Sequence, residues 1–330
     1  MVIPTRNRRH LLPRTLASVL GQVDVDLEVI VVDDASDDGT EAYLRGLDDD
    51  RVRVVRQEEA RGTANTRNTG IRLATAPFVA LCDDDDLWAP DKLATQLDAL
   101  RRQPEARWSF VGAVVVDEQL RVTGAAQPPV GPEVARELLA RNTIFGGPSG
   151  VVAVADLLRE LGGFDPSMLL MPDWDMWIRL ALASPLVSCG RPLLAYVRHN
   201  SGQTGTGMAT FDMEYQYLRD KFAATRRQLG VELSDVGTLH WVAESHARAG
   251  RRWPAVRRYL TLLHRHHDWP AFKRLLLVLL WPGLIRLVDR KGRRRVPPAW
   301  RAEVDAWLPH YAPARAAHRW RRAGLGAPPL

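Results

Sequence analysis

The first hundred residues alternate short β-branched runs with amphipathic stretches, and this alternation constrains the fold more than any other feature. Strand-like runs are predicted at 1–5, 27–32, 52–55 and 76–82, and each of them is followed by a helical pattern. Such a rhythm is typical of βαβ units, in which continuous apolar strands are covered by helices on both faces. The sequence therefore predicts an α/β fold with a mostly parallel central sheet and flanking helices.

A second region is predicted after residue 204. The stretch "SGQTGTG" at 201–207 interrupts the alternation, and beyond it the patterns are helical. Glycine and small polar residues mark loops and linkers. We therefore divide the chain into an α/β domain, 1–204, and a helical C-terminal region, 205–330, with a helical hairpin predicted to turn at Gly250.

The composition indicates a globular protein of a reducing compartment. The 330 residues carry a net charge of +6 and only two cysteines, Cys82 and Cys189, whose spacing suits neither a metal site nor a disulfide framework. Met1 leads directly into the first strand, so no secretory signal is expected. The longest apolar run, 275–285, is shorter than the ~20 residues that cross a bilayer. We expect a cytoplasmic protein.

Acidic residues follow two of the predicted strands. Asp33 and Asp34 come after the strand at 27–32, and four carboxylates, Asp83–Asp86, come after the strand at 76–82. Ligands of parallel α/β sheets bind outside the carboxyl ends of the strands, so both clusters are expected to face one crevice. Carboxylate oxygens suit hard cations such as Mg²⁺. A solvated acidic loop is the alternative explanation of the four acids.

Five motifs in order give the sequence a resemblance to a known family. The chain resembles the family 2 glycosyltransferases, which have the Rossmann-like GT-A fold, use nucleotide-diphosphate sugars and invert the anomeric centre. The resemblance covers roughly the first 200 residues. It rests on "VIPTRNRRHLLPRTLASVLGQ", "VIVVDDASDDGT", "RGTANTRNTGIRLATAPFVALCDDDDLWAPDKLATQ", "LGGFDP" and "DWDMWIRLA".

The resemblance implies a nucleotide pocket at the first two strand ends. Pro4, Thr5 and Asn7 would line it, Asp34 would accept hydrogen bonds from the base, and Asp33 would lie nearby. A carboxylate accepts hydrogen bonds from N–H and hydroxyl donors. The same acidic stretch also has the composition of a turn that caps the following helix.

The resemblance also implies a site for the diphosphate and a divalent cation, Mn²⁺ or Mg²⁺. Arg67 would approach the diphosphate, and an exposed helix arginine is the alternative. Asp83 and Asp84 would contact the ribose or metal-bound water. Asp85 would be the principal metal ligand, with Asp83 as a second, and His199 is a possible further ligand or a surface histidine.

Asp173 is the candidate general base, because it matches the aspartate of the family's Glu-Asp pair. Pro172 stands where the family usually has glutamate. Asp173 could instead be a helix N-cap, and Asp175 could be the functional acid. Trp174 and Trp177 recur at helical spacing on the following segment and are predicted to pack in the core.

These inferences predict a metal-assisted inverting transfer of a sugar to a hydroxyl acceptor, which could be a glycan, a lipid-linked molecule or a small molecule. A sugar-phosphate nucleotidyltransferase is a second hypothesis, although "PTRNRRH" lacks the glycine-rich loop that such enzymes carry. A catalytically inactive module that binds nucleotide or a polyanion is the third.

The basic C-terminal half shows no nucleic-acid motif, so no nucleic-acid partner is expected. Within it, residues 272–295 combine an apolar stretch with basic clusters. Such a segment could lie peripherally on an anionic membrane, at its inner face, or pack as a buried helix on the first domain.

Overall fold

The fold is described from a computed structural model, which covers residues 1–199, 208–280 and 296–312. Nine strands are present in these ranges. They are β1 Val2–Thr5, β2 Val29–Asp34, β3 Val52–Gln57, β4 Phe78–Ala80, β5 Leu87–Trp88, β6 Trp108–Val116, β7 Val122–Ala126, β8 Val152–Val154 and β9 Leu186–Val197.

The same ranges contain thirteen α-helices. They are α1 Leu12–Leu20, α2 Thr40–Arg45, α3 Thr63–Leu73, α4 Lys92–Arg102, α5 Val134–Ala140, α6 Ala155–Glu160, α7 Pro172–Ala183, α8 Met208–Lys221, α9 Ala223–Leu229, α10 Val236–Arg248, α11 Arg252–His266, α12 Trp269–Leu280 and α13 Pro298–Trp307.

The N-terminal strands form the parallel sheet that the sequence predicts. β1 pairs in parallel with β2, which pairs in parallel with β3. A parallel bridge between Val2 and Leu81 brings the end of β4 alongside β1. The carboxyl ends of β1, β2 and β4 consequently meet at one edge of the sheet.

The other six strands form a second sheet of mixed directions, which the Val2–Leu81 bridge joins to the first. β8 lies antiparallel between β4 and β6, β6 runs parallel to β9, and β5 and β7 add antiparallel edges. The sequence patterns had not resolved β7 or the short helix α6. β7 is an edge strand beside β6, and short elements of this kind are specified by their neighbours more than by their own residues.

Two apolar cores cover the two faces of the sheet. Ile3 and Val31 point into the core that contains α1 and α4, whereas Val2 and Val32 point into the core that contains α3 and α7. Alternate residues of a strand face opposite sides, so a strand buried on both faces is apolar throughout. This burial explains the continuous β-branched runs.

The helices of the C-terminal region pack in three different apolar clusters. Phe211 and Leu218 of α8 join the core beneath α7. Trp300 and Val304 of α13 join the opposite core, where Glu303 pairs with Arg191 of β9. Helices α10, α11 and α12 form a third cluster of their own.

The hairpin predicted at Gly250 is confirmed, since α10 and α11 flank this residue at a φ of +73°. The predicted boundary between residues 204 and 205 falls outside the described residues, so the division into domains stays a prediction. Both cysteines are free and buried. Within the described ranges, no helix is long and apolar enough to cross a membrane.

Candidate active site

The crevice at the ends of β1, β2 and β4 collects the acidic residues. The hydroxyl of Thr5, at the end of β1, donates to Asp84 Oδ2 at 2.7 Å. Arg8, in the loop after β1, lies 3.9 Å from the other oxygen of Asp84. The first strand end and the acidic cluster are therefore in direct contact, as the strand order requires.

Two of the four clustered acids, Asp84 and Asp86, are buried. Desolvation raises the pKa of Asp84 well above its usual value, and the neighbouring Asp85 carboxylate raises it further. Desolvation likewise raises the pKa of Asp86, which is fully buried. Asp86 accepts hydrogen bonds from the Ser149 hydroxyl at 2.6 Å and the Val197 amide at 3.0 Å. Asp86 thus fastens the acidic loop to the end of β9.

Arg67 joins the acidic cluster to the candidate base. Its guanidinium donates to Asp83 Oδ1 at 2.6 Å through Nη2 and to Asp173 Oδ1 at 2.9 Å through Nη1. Only 6% of the Arg67 side chain is exposed. The alternative that Arg67 is an exposed helix residue is therefore wrong. One buried cation therefore holds the two carboxylates side by side.

The environment of Asp173 suits a general base. Desolvation raises the pKa of Asp173 to about 6, the Arg67 guanidinium opposes this rise, and the Asp83 carboxylate adds to it. A base is most effective when its pKa lies near the working pH. The N-cap of α7 is Met171 and Asp173 lies within the first turn, so the alternative that Asp173 is the N-cap is wrong.

Asp175 lies in a different environment. It is fully buried and pairs with Arg179 at 2.6 Å and with Lys221 at 2.7 Å. The pair with Lys221 fixes α7 against α8, so Asp175 has a structural role. Trp174 and Trp177 are buried in the core, as predicted.

The residues predicted for the nucleotide organise the adjoining loops. Asp34 accepts the backbone amides of Arg61 and Gly62 at 2.7 and 3.0 Å. Asp33 pairs with Arg56 at 2.5 Å. Each carboxylate oxygen can accept more than one hydrogen bond, so these contacts leave acceptor capacity.

Asn7 links the first two strand ends. It adopts a left-handed backbone conformation with φ of 54°, its backbone N–H donates to the Ser36 hydroxyl, and its side-chain oxygen accepts the backbone N–H of Asp37. Asparagine tolerates this conformation better than most residues. Pro4 lies within β1, directly before Thr5. These contacts shape one wall of the crevice.

Asp85 and His199 form the pair that the sequence proposed as metal ligands. His199 Nε2 lies 2.6 Å from Asp85 Oδ2, and 6% of the His199 side chain is exposed. Among the described residues, no group of three or more His, Cys, Asp or Glu side chains is arranged to hold a metal. The chain therefore offers a carboxylate and an imidazole, and a cation here would need further ligands.

Sequence patterns missed the contribution of the "FGGPSG" loop. Gly147 has a φ of +60°, and a Cβ there would lie 3.5 Å from Asp83 Oδ2 and 3.7 Å from Asp173 Oδ2. Ser149 accepts the Asp83 amide at 2.9 Å and donates to Asp86. Asp83 Oδ2 and Asp173 Oδ2 therefore face a space beside Gly147, which a side chain at this position would narrow. The two adjacent glycines of this loop were the only signal in the sequence that could have indicated its role.

Glu214 of α8 is a second residue that sequence patterns missed. Its carboxylate is buried and accepts the backbone amides of Leu169, Leu170 and Met171, at 2.7 to 3.2 Å. These amides immediately precede α7, where a negative charge also favours the helix dipole. The helical region thereby positions the helix that carries Asp173.

Replacing Gly147 by Ala is expected to lower kcat/KM for sugar transfer by about tenfold or more. The left-handed backbone would be strained by roughly 1 kcal/mol, and the methyl group would enter the space between the two carboxylates. Steady-state kinetics measure the effect. Gly131→Ala is the matched control, because Gly131 has a φ of +93° and open space around it. Equal losses in both variants would show that strain alone is responsible.

Comparisons with known proteins show what this chain is similar to. Residues 1–123 match the model of Glycosyl transferase family 2. The N-terminal part of this chain is therefore similar to glycosyltransferase family 2. An uncharacterized glycosyltransferase of Haemophilus influenzae is 23% identical over 89% of this chain and 99% of the relative. The chain is accordingly a glycosyltransferase.

Two further similarities concern proteins that are named for, or were crystallised with, a UDP-sugar. An Escherichia coli UDP-Glc:α-D-GlcNAc-diphosphoundecaprenol β-1,3-glucosyltransferase, WfgD, is 33% identical over 30% of this chain and 40% of its own length. The crystal structure of S. aureus TarS 1–349 in complex with UDP-GlcNAc covers 97% of this chain and 91% of TarS, with a TM-score of 0.55 and 15% identity. The latter similarity confirms the GT-A fold.

Proposed function

We propose that this glycosyltransferase transfers a sugar from a UDP-sugar to a hydroxyl group of a lipid-linked glycan, with inversion at the anomeric carbon. The observation that carries the proposal is the Arg67 bridge, in which one guanidinium holds Asp83 of the acidic cluster and Asp173 beside the same crevice. An inverting transfer needs a carboxylate that binds the donor and a base that reaches the acceptor hydroxyl.

The donor assignment rests on relatives and on the acidic strand ends. WfgD is named for UDP-Glc, and TarS was crystallised with UDP-GlcNAc. In this chain, Pro4, Thr5 and Asn7 would line the nucleoside pocket, and Asp33 and Asp34 would accept hydrogen bonds from it. The two carboxylates retain lone pairs beside their contacts with Arg56, Arg61 and Gly62.

A divalent cation, Mn²⁺ or Mg²⁺, fits the donor set at the acidic loop. Asp85 and His199 supply an oxygen and a nitrogen ligand 2.6 Å apart, and Asp83 lies in the same loop. Such ions are commonly held by one or two protein carboxylates, with phosphates and water completing the shell. The bound ion would neutralise negative charge on the diphosphate. Asp84, held by Thr5, would contact the ribose or metal-bound water.

Asp173 would act as the base. Its Oδ2 would take the proton of the acceptor hydroxyl as that oxygen forms a bond to the anomeric carbon, and the bond from that carbon to the diphosphate oxygen would break on the opposite face. Nucleoside diphosphate leaves with the bonding electrons. Arg67 holds Oδ1 and so leaves Oδ2 facing the crevice beside Gly147.

The acceptor and the location of the reaction follow from the relatives and the composition. WfgD is named for an acceptor linked to diphosphoundecaprenol, a membrane lipid. The two buried free cysteines suit a reducing compartment. We therefore place the reaction on the cytoplasmic side of a membrane, with the protein bound peripherally.

The pH dependence is expected to report Asp173. The pKa of Asp173 is about 6, and only the ionised form accepts a proton. The rate constant kcat/KM should therefore be high above pH 7 and fall about tenfold for each pH unit below 6. A profile of kcat/KM against pH, measured in overlapping buffers, gives this acid limb. An acid limb that persists unchanged in Asp173→Asn would assign it to another group.

Metal-dependent donor binding tests the proposed function. UDP release from UDP-sugars should require Mn²⁺ or Mg²⁺, and Asp85→Asn should abolish metal-dependent binding of the donor in calorimetry. Asp98→Asn is the control, because Asp98 is half exposed on α4 and pairs with Arg102. Release of pyrophosphate would indicate a nucleotidyltransferase instead, and release of neither product would indicate a binding module.

A further inference from the structure

Helix α12 carries an apolar stripe on its outer side. Ala271, Leu275 and Val278 are buried on one side, among α10 and α11. The other side presents four large apolar residues at helical spacing, which we call the outer stripe. Its members are Trp269, Phe272, Leu276 and Leu280, which are 73%, 42%, 38% and 75% exposed.

The start of α11 extends this apolar surface. The Arg252 guanidinium donates to the carbonyl of Leu279, so the beginning of α11 lies beside the end of α12. Trp253 is 67% exposed there, and Leu260 is 50% exposed two turns further along the same side of α11. Tryptophan is unusually exposed here, because large aromatic side chains are mostly buried in globular proteins.

The surface is also strongly basic. Residues 251–280, the described part of this segment, contain seven Lys and Arg against one Asp, whereas the whole chain has a net charge of only +6. The remaining residues together therefore carry no net charge. Lys273 is exposed between Trp269 and Leu276 on α12, and Arg257 is exposed one turn after Trp253. Cations thus border the apolar residues on both helices.

This combination selects among the partners that could cover the outer stripe. A second copy of the chain would bring one basic surface against another, and like charges repel. A nucleic acid would contact the cations but would leave a stripe of leucine and phenylalanine in water. An anionic lipid bilayer satisfies both features, since apolar side chains enter the headgroup boundary while Lys and Arg contact the headgroups.

We propose that the outer stripe, together with Trp253 and Leu260, binds the surface of an anionic membrane. The inference deepens the proposed function and rests on it for its purpose, because a lipid-linked acceptor is available only at the bilayer. Residues 281–295, the other part of the segment that the sequence singled out for this role, lie outside the described residues.

Vesicle sedimentation of the full chain tests the proposal. The protein should bind vesicles of equal parts phosphatidylcholine and phosphatidylglycerol, and bind pure phosphatidylcholine much more weakly. Removing one basic residue, in Lys273→Gln or Arg257→Gln, should weaken the binding about fivefold. Leu276→Glu and Trp269→Ser should each weaken it by about tenfold or more. Val130→Glu is the matched apolar control, because Val130 is 69% exposed and lies before α5.

UDP release without vesicles separates this proposal from the proposed enzymatic function. All five variants should release UDP at the rate of the unchanged protein, because none of the altered residues lies in the crevice. Vesicle binding that is equal in the stripe variants and in Val130→Glu would overturn the proposal. Three other results for Leu276→Glu and Trp269→Ser would also overturn it. These variants would form smaller oligomers than the unchanged protein in size exclusion without lipid, which would indicate self-association. Alternatively, they alone would have a lower Tm, or they alone would lose binding to an oligonucleotide.

Discussion

Asp173→Asn is expected to lower kcat by ~10²- to 10⁴-fold while leaving donor affinity unchanged. Removing a positioned general base costs about this factor, because the acceptor proton then has no group to receive it in the transition state. Asparagine keeps an oxygen that can accept the Arg67 hydrogen bond now made to Oδ1 at 2.9 Å. Steady-state transfer kinetics and calorimetry with a UDP-sugar separate the two quantities.

A matched control and a contrary result make this prediction specific. Asp156→Asn removes an exposed carboxylate that pairs with Arg159, and it should change kcat by less than about twofold. If Asp173→Asn kept full turnover, Asp173 could not be the base. Asp175 would not replace it, since Asp175 is buried against Arg179 and Lys221.

Arg67→Met is expected to lower the free energy of unfolding by roughly 3 kcal/mol, and to abolish transfer. Removing one partner of a buried ion pair leaves an uncompensated charge, which is strongly destabilising. Asp83 and Asp173 are each about a quarter exposed, so water screens part of this penalty and the lower end of the usual range applies. Urea unfolding followed by circular dichroism measures the change.

Arg107→Met is the control for Arg67→Met. Arg107 pairs with Glu160 at 2.9 Å on the surface, and an exposed pair contributes less than about 1 kcal/mol. Arg67→Lys should fall between the two, because lysine keeps the charge but lacks the planar fork that reaches both carboxylates. A loss in Arg67→Met no greater than in Arg107→Met would contradict the structural role of the bridge.

The sequence predicted the parts of the site that follow from strand order. Parallel strands bring their carboxyl ends to one edge, so the acids after β2 and β4 had to approach the end of β1, and the contact between Thr5 and Asp84 follows. The family resemblance singled out Asp85 and Asp83 as metal ligands, but local patterns could not show which of the four adjacent carboxylates are buried. Burial separates them, because Asp86 is enclosed under β9 while Asp83 and Asp85 remain partly exposed.

Contacts between residues distant in the chain were beyond sequence patterns. Glu214 lies more than forty residues from the amides that it binds, and no local signal distinguishes it from other glutamates of α8. The packing of α13 against the core that contains α1 and α4 was also not predicted, because the sequence placed Trp300 and Val304 in a separate helical region. Such pairings depend on which surfaces the completed fold brings together.

The sequence by itself determined the α/β layers, the edge at which the site forms and the chemical types of side chain at that edge, because hydrophobic periodicity and strand order are local properties. Only the tertiary structure decided which acid faces the crevice and which is buried, that Arg67 joins Asp83 to Asp173, and that Gly147 keeps the space between them open. Those outcomes depend on desolvation and on distances between segments, which arise only when the chain is packed.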